Sequence, residues 1–249
     1  MIEELLPESV VVVEAYGEYA ADAADAARAA GGPEDVSLFP EEEAVIAKAV
    51  PKRRREFTAV RGCARRAMEK LGVPPQAVLP GERGAPAWPD GLVGSMTHCE
   101  GYCAAALVRA ADVASLGIDA EPHLPLPNGV LGAIALPTEE ARLHRLNTER
   151  PGVHWDRLLF SAKESVYKAW FPLTAQWLDF SEADIDVLAD SGPPTGAGSG
   201  VFRARLLVPG PVVDGQRIGS FDGRWTVRDG LLATAVSVPY PTGRAKAAG

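Results

Sequence analysis

Asp119 and Glu121 stand two residues apart in Leu116-Gly117-Ile118-Asp119-Ala120-Glu121-Pro122. On a strand, side chains alternate, so the two acids share one face and Leu116, Ile118 and Ala120 the other. Neighbouring carboxylates repel unless something positive lies between them. An oxygen-only pair suits Mg²⁺, which keeps several waters and completes its shell with substrate phosphates. The competing reading is a solvated strand end with both acids in water. A second group is Phe160-Ser161-Ala162-Lys163-Glu164-Ser165-Val166-Tyr167-Lys168-Ala169-Trp170. Glu164 precedes Lys168 by four, the favourable order for a helical ion pair. Exposed, such a pair contributes only about 0.3–0.5 kcal/mol. Phe160, Tyr167 and Trp170 crowd both sides, which places the charged row at the rim of a packed cleft.

The third group is Gly94-Ser95-Met96-Thr97-His98-Cys99, where Ser95, Thr97 and His98 form a polar cluster suited to a phosphate. His98, Cys99 and Cys103 supply at most three zinc ligands at unusual spacing, and structural zinc takes four. The fourth group is cationic: Lys52, Arg53, Arg54, Arg55, Arg61, Arg65 and Arg66, with Arg83 on a later loop. A charge run is usually a solvated helix face. Arginine, however, offers a planar fork that matches phosphate oxygens. These four groups together describe a Mg²⁺ site beside a polyphosphate cradle.

The elements that must position these groups are legible in part. Pro40 before Glu41, Glu42 and Glu43 reads as a helix start. After Pro51, the spacing of Phe57, Val60, Ala64, Met68 and Leu71 predicts an amphipathic helix, with Arg54, Thr58, Arg61 and Arg65 displayed on another face. Gly72 and Pro74-Pro75 end it. Tyr102–Val108 and Val113–Ile118 read as an antiparallel hairpin. A second long helix is expected over Trp155–Trp170, packed through Trp155, Leu159, Ala162, Val166 and Ala169 and stopped by Pro172. The Ala-rich residues 20–33 read as a short helix or loop, and residues 192–200 as a loop. Beyond them, strands are expected with turns at Asp214-Gly215, Asp222-Gly223 and Asp229-Gly230. Helix then strands, twice over, implies an α+β fold with halves meeting near residue 115: 1–115 and 116–249.

Composition bounds the partners. The 249 residues include 25 Lys and Arg against 33 Asp and Glu, a net charge of −8, which disfavours general nucleic-acid binding. That charge is unevenly spread: residues 1–50 carry 12 acidic and 2 basic residues, and residues 51–70 carry 8 basic and 2 acidic. The acidic segment is expected on solvated surface. Three cysteines make no disulfide framework, and no signal peptide or membrane-spanning run is apparent, so a cytoplasmic protein is expected.

The ordered set Lys52-Arg53-Arg54-Arg55-Glu56-Phe57…Arg61, Trp88-Pro89-Asp90-Gly91, Gly94 to His98, Gly117 to Pro122 and Phe160 to Leu173 resembles the Sfp-type 4′-phosphopantetheinyl transferases, most closely the actinobacterial group. The resemblance implies two similar α+β halves related by a pseudo-twofold, with the active site in the cleft between them. It implies transfer of 4′-phosphopantetheine from coenzyme A to a serine of apo acyl or peptidyl carrier proteins of polyketide, nonribosomal-peptide or lipid synthases. Arg53, Arg61 and His98 would hold the 3′-phosphate of coenzyme A, with Thr97 and Arg83 near the nucleotide. Asp119, Glu121, Glu164 and the Ala120 carbonyl would surround Mg²⁺. Lys168 and Lys163 would neutralise the pyrophosphate, and Glu164 would act as general base. Relatives carry a further lysine where Pro80 stands here. A monomer acting without membrane or nucleic acid is expected.

Overall fold

The computed structural model describes residues 1–17, 37–190 and 197–241. Ten strands and five α-helices lie among the described residues. A three-stranded antiparallel sheet has the order β1-β3-β2, from β1 (Val11–Tyr16), β2 (Leu92–Cys99) and β3 (Tyr102–Arg109). A five-stranded sheet has the order β4-β10-β9-β6-β5, from β4 (Ser115–Pro122), β5 (Ala183–Ala189), β6 (Gly198–Leu206), β9 (Ser220–Arg228) and β10 (Leu231–Val238). Two-residue strands β7 (Val212–Val213) and β8 (Gln216–Arg217) form a small ribbon. The helices are α1 (Pro40–Ile46), α2 (Pro51–Lys70), α3 (Val130–Ile134), α4 (Pro137–Glu149) and α5 (Trp155–Thr174). No helix among the described residues is long and apolar enough to cross a membrane.

Each sheet carries one 20-residue helix. Helix α2 buries Phe57, Val60, Ala64 and Met68, and lies on β3 and β1. Helix α5 buries Trp155, Leu159, Ala162, Val166 and Ala169 against β4 and β10. Gly117 permits the close approach of α5 to β4, because a Cβ there would run into the backbone of Ser165 and Ala169. A further core, including Ile2, Val12, Tyr102, Leu116, Ile118 and Ala235, joins the two sheets.

Several elements differ from the sequence expectation. Strands β3 and β4 are not a hairpin. Strand β3 is paired on both sides, by β1 and β2, while β4 pairs with β10 more than a hundred residues later. Local alternation reveals strands but not partners that distant. The polar segment Gly94–Cys99 lies within β2, which forms the hairpin with β3. Helix α5 runs through Pro172 to Thr174, because a proline in the last turn removes little before Ala175 closes the helix at φ 52°. Asp222-Gly223 is interior to β9 rather than a turn. Gly223 is required there because a Cβ would strike the Phe202 ring. Asp214-Gly215 and Asp229-Gly230 do link β7 to β8 and β9 to β10. Gly198–Gly200 begins β6, whereas residues 192–196 of the expected loop and all of 20–33 lie outside the described residues.

Candidate active site

Strands β2 and β4 meet edge to edge through side chains instead of a backbone ladder. Ser95 Oγ accepts from Ile118 N at 3.0 Å, and Thr97 Oγ1 accepts from Ala120 N at 3.0 Å. Strand alternation therefore gives β2 two tasks. Ser95 and Thr97 bind the two sheets together, while Gly94, Met96 and His98 line a cavity of about 390 Å³. Thr97, only 3% exposed, is thus turned to β4 instead of a nucleotide. A buried amide left without its acceptor is costly, so the hydroxyls fix where Asp119 stands.

The cavity draws its walls from both halves. Helix α2 contributes Arg53, Phe57 and Arg61, the loop before β2 contributes Arg83 and Trp88, and α5 contributes Glu164, Tyr167 and Lys168. Of the seven cations between 52 and 66, only Arg53 and Arg61 reach it. Arg53 Nη1 lies 2.9 Å from His98 Nε2, and Glu56 approaches that imidazole to 3.5 Å. Burial lowers the His98 pKa; Glu56 opposes this and Arg53 adds to it. Pro80 bridges to Pro86, bracing the loop that presents Arg83.

The basic cluster is less displayed than expected. Arg61 is 5% exposed, donates from Nε to Val78 O at 2.9 Å, stacks on Phe57, and lies 3.7 Å from Glu42. Arg65 pairs with the same carboxylate at 2.9 Å. Glu42 is itself fully buried and also accepts from Phe39 N and Val78 N. One member of the acidic segment is therefore an internal hub, not solvated surface. Its place in the first turn of α1 reads as simple charge–dipole matching, and no local signal marks its second role.

At the other end, Lys168 Nζ donates to Asp119 Oδ1 at 2.7 Å and to Ile118 O at 3.1 Å. An ammonium has three donors, so one is left for a ligand. Asp119 is 5% exposed, and its Oδ2 is buried without a hydrogen-bond partner. Burial raises the Glu164 carboxyl above its ordinary value; Lys168 pulls against that rise and Asp119 adds to it. Burial likewise raises Glu121, reinforced by Asp119 and opposed by Arg157. Arg157, which the sequence did not single out, holds Glu121 Oε2 at 2.9 Å. Ala120 turns its N–H toward β2, and in a strand its carbonyl shares that edge. Lys163 does not join this group. Its ammonium is held by Glu139 at 2.9 Å and by the carbonyls of Phe180 and Ala183 at 2.5 and 2.9 Å. Among the described residues, no three His, Cys, Asp or Glu side chains are gathered as a ready metal cage, and none of the three cysteines is in a disulfide.

Arg53, Arg61, His98, Glu164 and Lys168 around one cavity, with Asp119 behind Lys168, form an arrangement suited to group transfer from a phosphate ester. Comparison with known proteins makes the class specific. A family profile described as the 4′-phosphopantetheinyl transferase N-terminal domain matches residues 41–108, and that of the 4′-phosphopantetheinyl transferase superfamily matches residues 115–205. The chain is 55% identical over 247 residues to the 4′-phosphopantetheinyl transferase Svp of Streptomyces mobaraensis, covering 99% of this chain and 92% of the relative. It is 49% identical to Npt of Nocardia iowensis, covering 95% and 99% of the two chains. It is 47% identical to PptT of Mycobacterium tuberculosis, covering 95% and 97%. The chain belongs to the 4′-phosphopantetheinyl transferase superfamily.

Proposed function

We propose that this enzyme transfers the 4′-phosphopantetheine group of coenzyme A to a serine of an apo acyl or peptidyl carrier protein, releasing 3′,5′-ADP. The observation that carries the reading is one cavity lined by Arg53, Arg61 and His98 together with Glu164 and Lys168. The two arginines and His98 are the cradle for the 3′-phosphate, with Arg83 on the nucleotide side. Lys168 offers its remaining donor to the pyrophosphate. The serine oxygen attacks the phosphorus that bears pantetheine, the bond from that phosphorus to the ADP oxygen breaks, and the serine proton passes to the Glu164 carboxylate. A raised pKa suits Glu164 to receive that proton.

The residues fit a divalent cation. Asp119 Oδ2 is a buried oxygen without a partner, and the charges of Glu121 and Glu164 are both disfavoured by burial and by Asp119. Asp119, Glu121 and Glu164, with the Ala120 carbonyl, are the residues that would hold Mg²⁺. Bound there, it supplies charge neutralisation on the pyrophosphate and its leaving oxygen. Residues 1–115 and 116–249 are taken as the two halves. Action as a monomer is part of this reading. Three cysteines without a disulfide agree with a cytoplasmic setting. Carriers of polyketide, nonribosomal-peptide or lipid synthases are the acceptor class.

The test is chromatographic measurement of 3′,5′-ADP from coenzyme A, Mg²⁺, apo carrier and enzyme, with each component omitted in turn. Release that requires the carrier supports transfer. Release without the carrier indicates a pyrophosphate hydrolase, and coenzyme A binding without release indicates a non-catalytic binder.

A further inference from the structure

Lys163 stands beside Glu164 in the sequence but faces away from coenzyme A's cavity. Its side chain is 2% exposed and that of its partner Glu139 is 1% exposed. All three of its N–H donors are committed, to Glu139, Phe180 O and Ala183 O. Glu139 in turn accepts from Leu136 N and Ile185 N, both at 2.7 Å. The lysine therefore ties α5 to the start of α4, to the turn at Phe180–Glu182 and to β5. Unlike Lys168, it retains no donor for a phosphate.

A second observation ties this anchor to the base. A smaller cavity of about 120 Å³ is lined by Lys163, Glu164, Tyr167, Trp177, Leu178, Asp179 and Phe180. Glu164 and Tyr167 also line the larger cavity. Glu164 thus stands between two spaces, and two of the three acceptors of Lys163, the carbonyls of Phe180 and Ala183, belong to residues that wall the smaller one. Because successive helical residues are fixed about 100° apart, clamping Lys163 on one side sets the direction of Glu164 on the other.

We infer that the buried Glu139–Lys163 pair is a positioning device that aims Glu164 and holds the Trp177–Phe180 wall opposite it, and that neither residue touches coenzyme A. This rests on the assignment of Glu164 as the base. The alternative is that Lys163 binds the pyrophosphate directly.

Lys163→Met, Lys163→Arg and Glu139→Gln should be compared with wild type for kcat, for KM of coenzyme A and for its Kd by calorimetry. The expected result is a kcat lower by about 10- to 100-fold in Lys163→Met and Glu139→Gln, the scale of an ångström-sized misplacement of a reacting group. The Kd for coenzyme A should stay within about twofold, since a group that makes no contact contributes no binding energy. Lys163→Arg should recover much of the lost kcat. Should Lys163→Met not fold, Glu139→Gln keeps the side-chain volume and carries the same readout. Folded variants with wild-type kcat would overturn the proposal, as would a Kd for coenzyme A that weakens in step with kcat. A wild type that transfers nothing would refute the functional reading, and the positioning role with it.

Discussion

Glu42 and Glu139 occupy the same place in the two halves. Each follows a proline at the first position of a short helix, each is buried, and each closes its helix by accepting the N-cap amide, from Phe39 or Leu136. Each also accepts one distant backbone amide, Val78 N or Ile185 N, and pairs with cations on a 20-residue helix. The difference lies in what the paired cation does. Arg61, beside Glu42, lines the larger cavity itself, whereas Lys163, beside Glu139, is consumed internally and leaves its neighbour Glu164 to face that cavity. On the proposed roles, the same device holds a binding group in one half and aims a reacting group in the other. The binding end is already charge-satisfied. The reacting end keeps an orphan oxygen on Asp119 and two carboxyls whose ionisation is opposed.

The sharpest way to break the comparison is to remove one hub. Glu42→Leu leaves Arg61 and Arg65 without their buried carboxylate, and losing one partner of such a pair costs about 3–5 kcal/mol. Urea denaturation should show that loss; a change below about 1 kcal/mol, the range of an exposed pair, would mean the hub is ornamental. The next effect is on specificity. Arg53→Ala should raise KM for coenzyme A about 10-fold, the scale of one charged hydrogen bond, and leave dephospho-coenzyme A unchanged. Equal effects on both substrates would remove Arg53 from the 3′-phosphate.

The seam between the halves comes next. Thr97→Val leaves Ala120 N buried without its acceptor and should cost about 1–3 kcal/mol. An unchanged unfolding free energy would show that β2 and β4 do not depend on this hydroxyl. The smallest effect concerns pH. Carboxyls raised in the folded state destabilise it as pH rises from their ordinary values through their raised ones, and the penalty is complete above the latter. Mg²⁺ relieves only the charged state, so it should raise Tm more at about pH 8 than at about pH 5. The reverse order would argue against Asp119, Glu121 and Glu164 as its holders.

Both long helices and the acidic strand were legible because each depends on local periodicity or spacing, whereas Arg53, Arg61, Arg83 and His98 were brought together by the family resemblance. Asp119, Glu164 and Lys168 converge as their residue types suggested, and Arg53, Arg61, Arg83 and His98 line one space. What the sequence hid is pairing at long range. Nothing near Lys163 announces Glu139, although Pro137-Thr138-Glu139-Glu140 repeats the helix-start signature of Pro40 and would have revealed α4. Thr97 sits in a polar cluster by composition, but strand alternation turns it from the cavity. Glu121 looked equivalent to Asp119 until Arg157, one turn into α5, took up its carboxylate.

In the proposed reaction Glu164 takes the proton of a carrier serine as phosphopantetheine passes to it. Intact-mass spectrometry of an apo carrier incubated with coenzyme A and Mg²⁺, with wild type and Glu164→Ala side by side, tests it most directly. Wild type should convert the carrier to a species heavier by one phosphopantetheine group, and Glu164→Ala should do so about 10²- to 10⁴-fold more slowly, the contribution of a positioned base. An unmodified carrier with wild type, or equal rates for the two proteins, would contradict it.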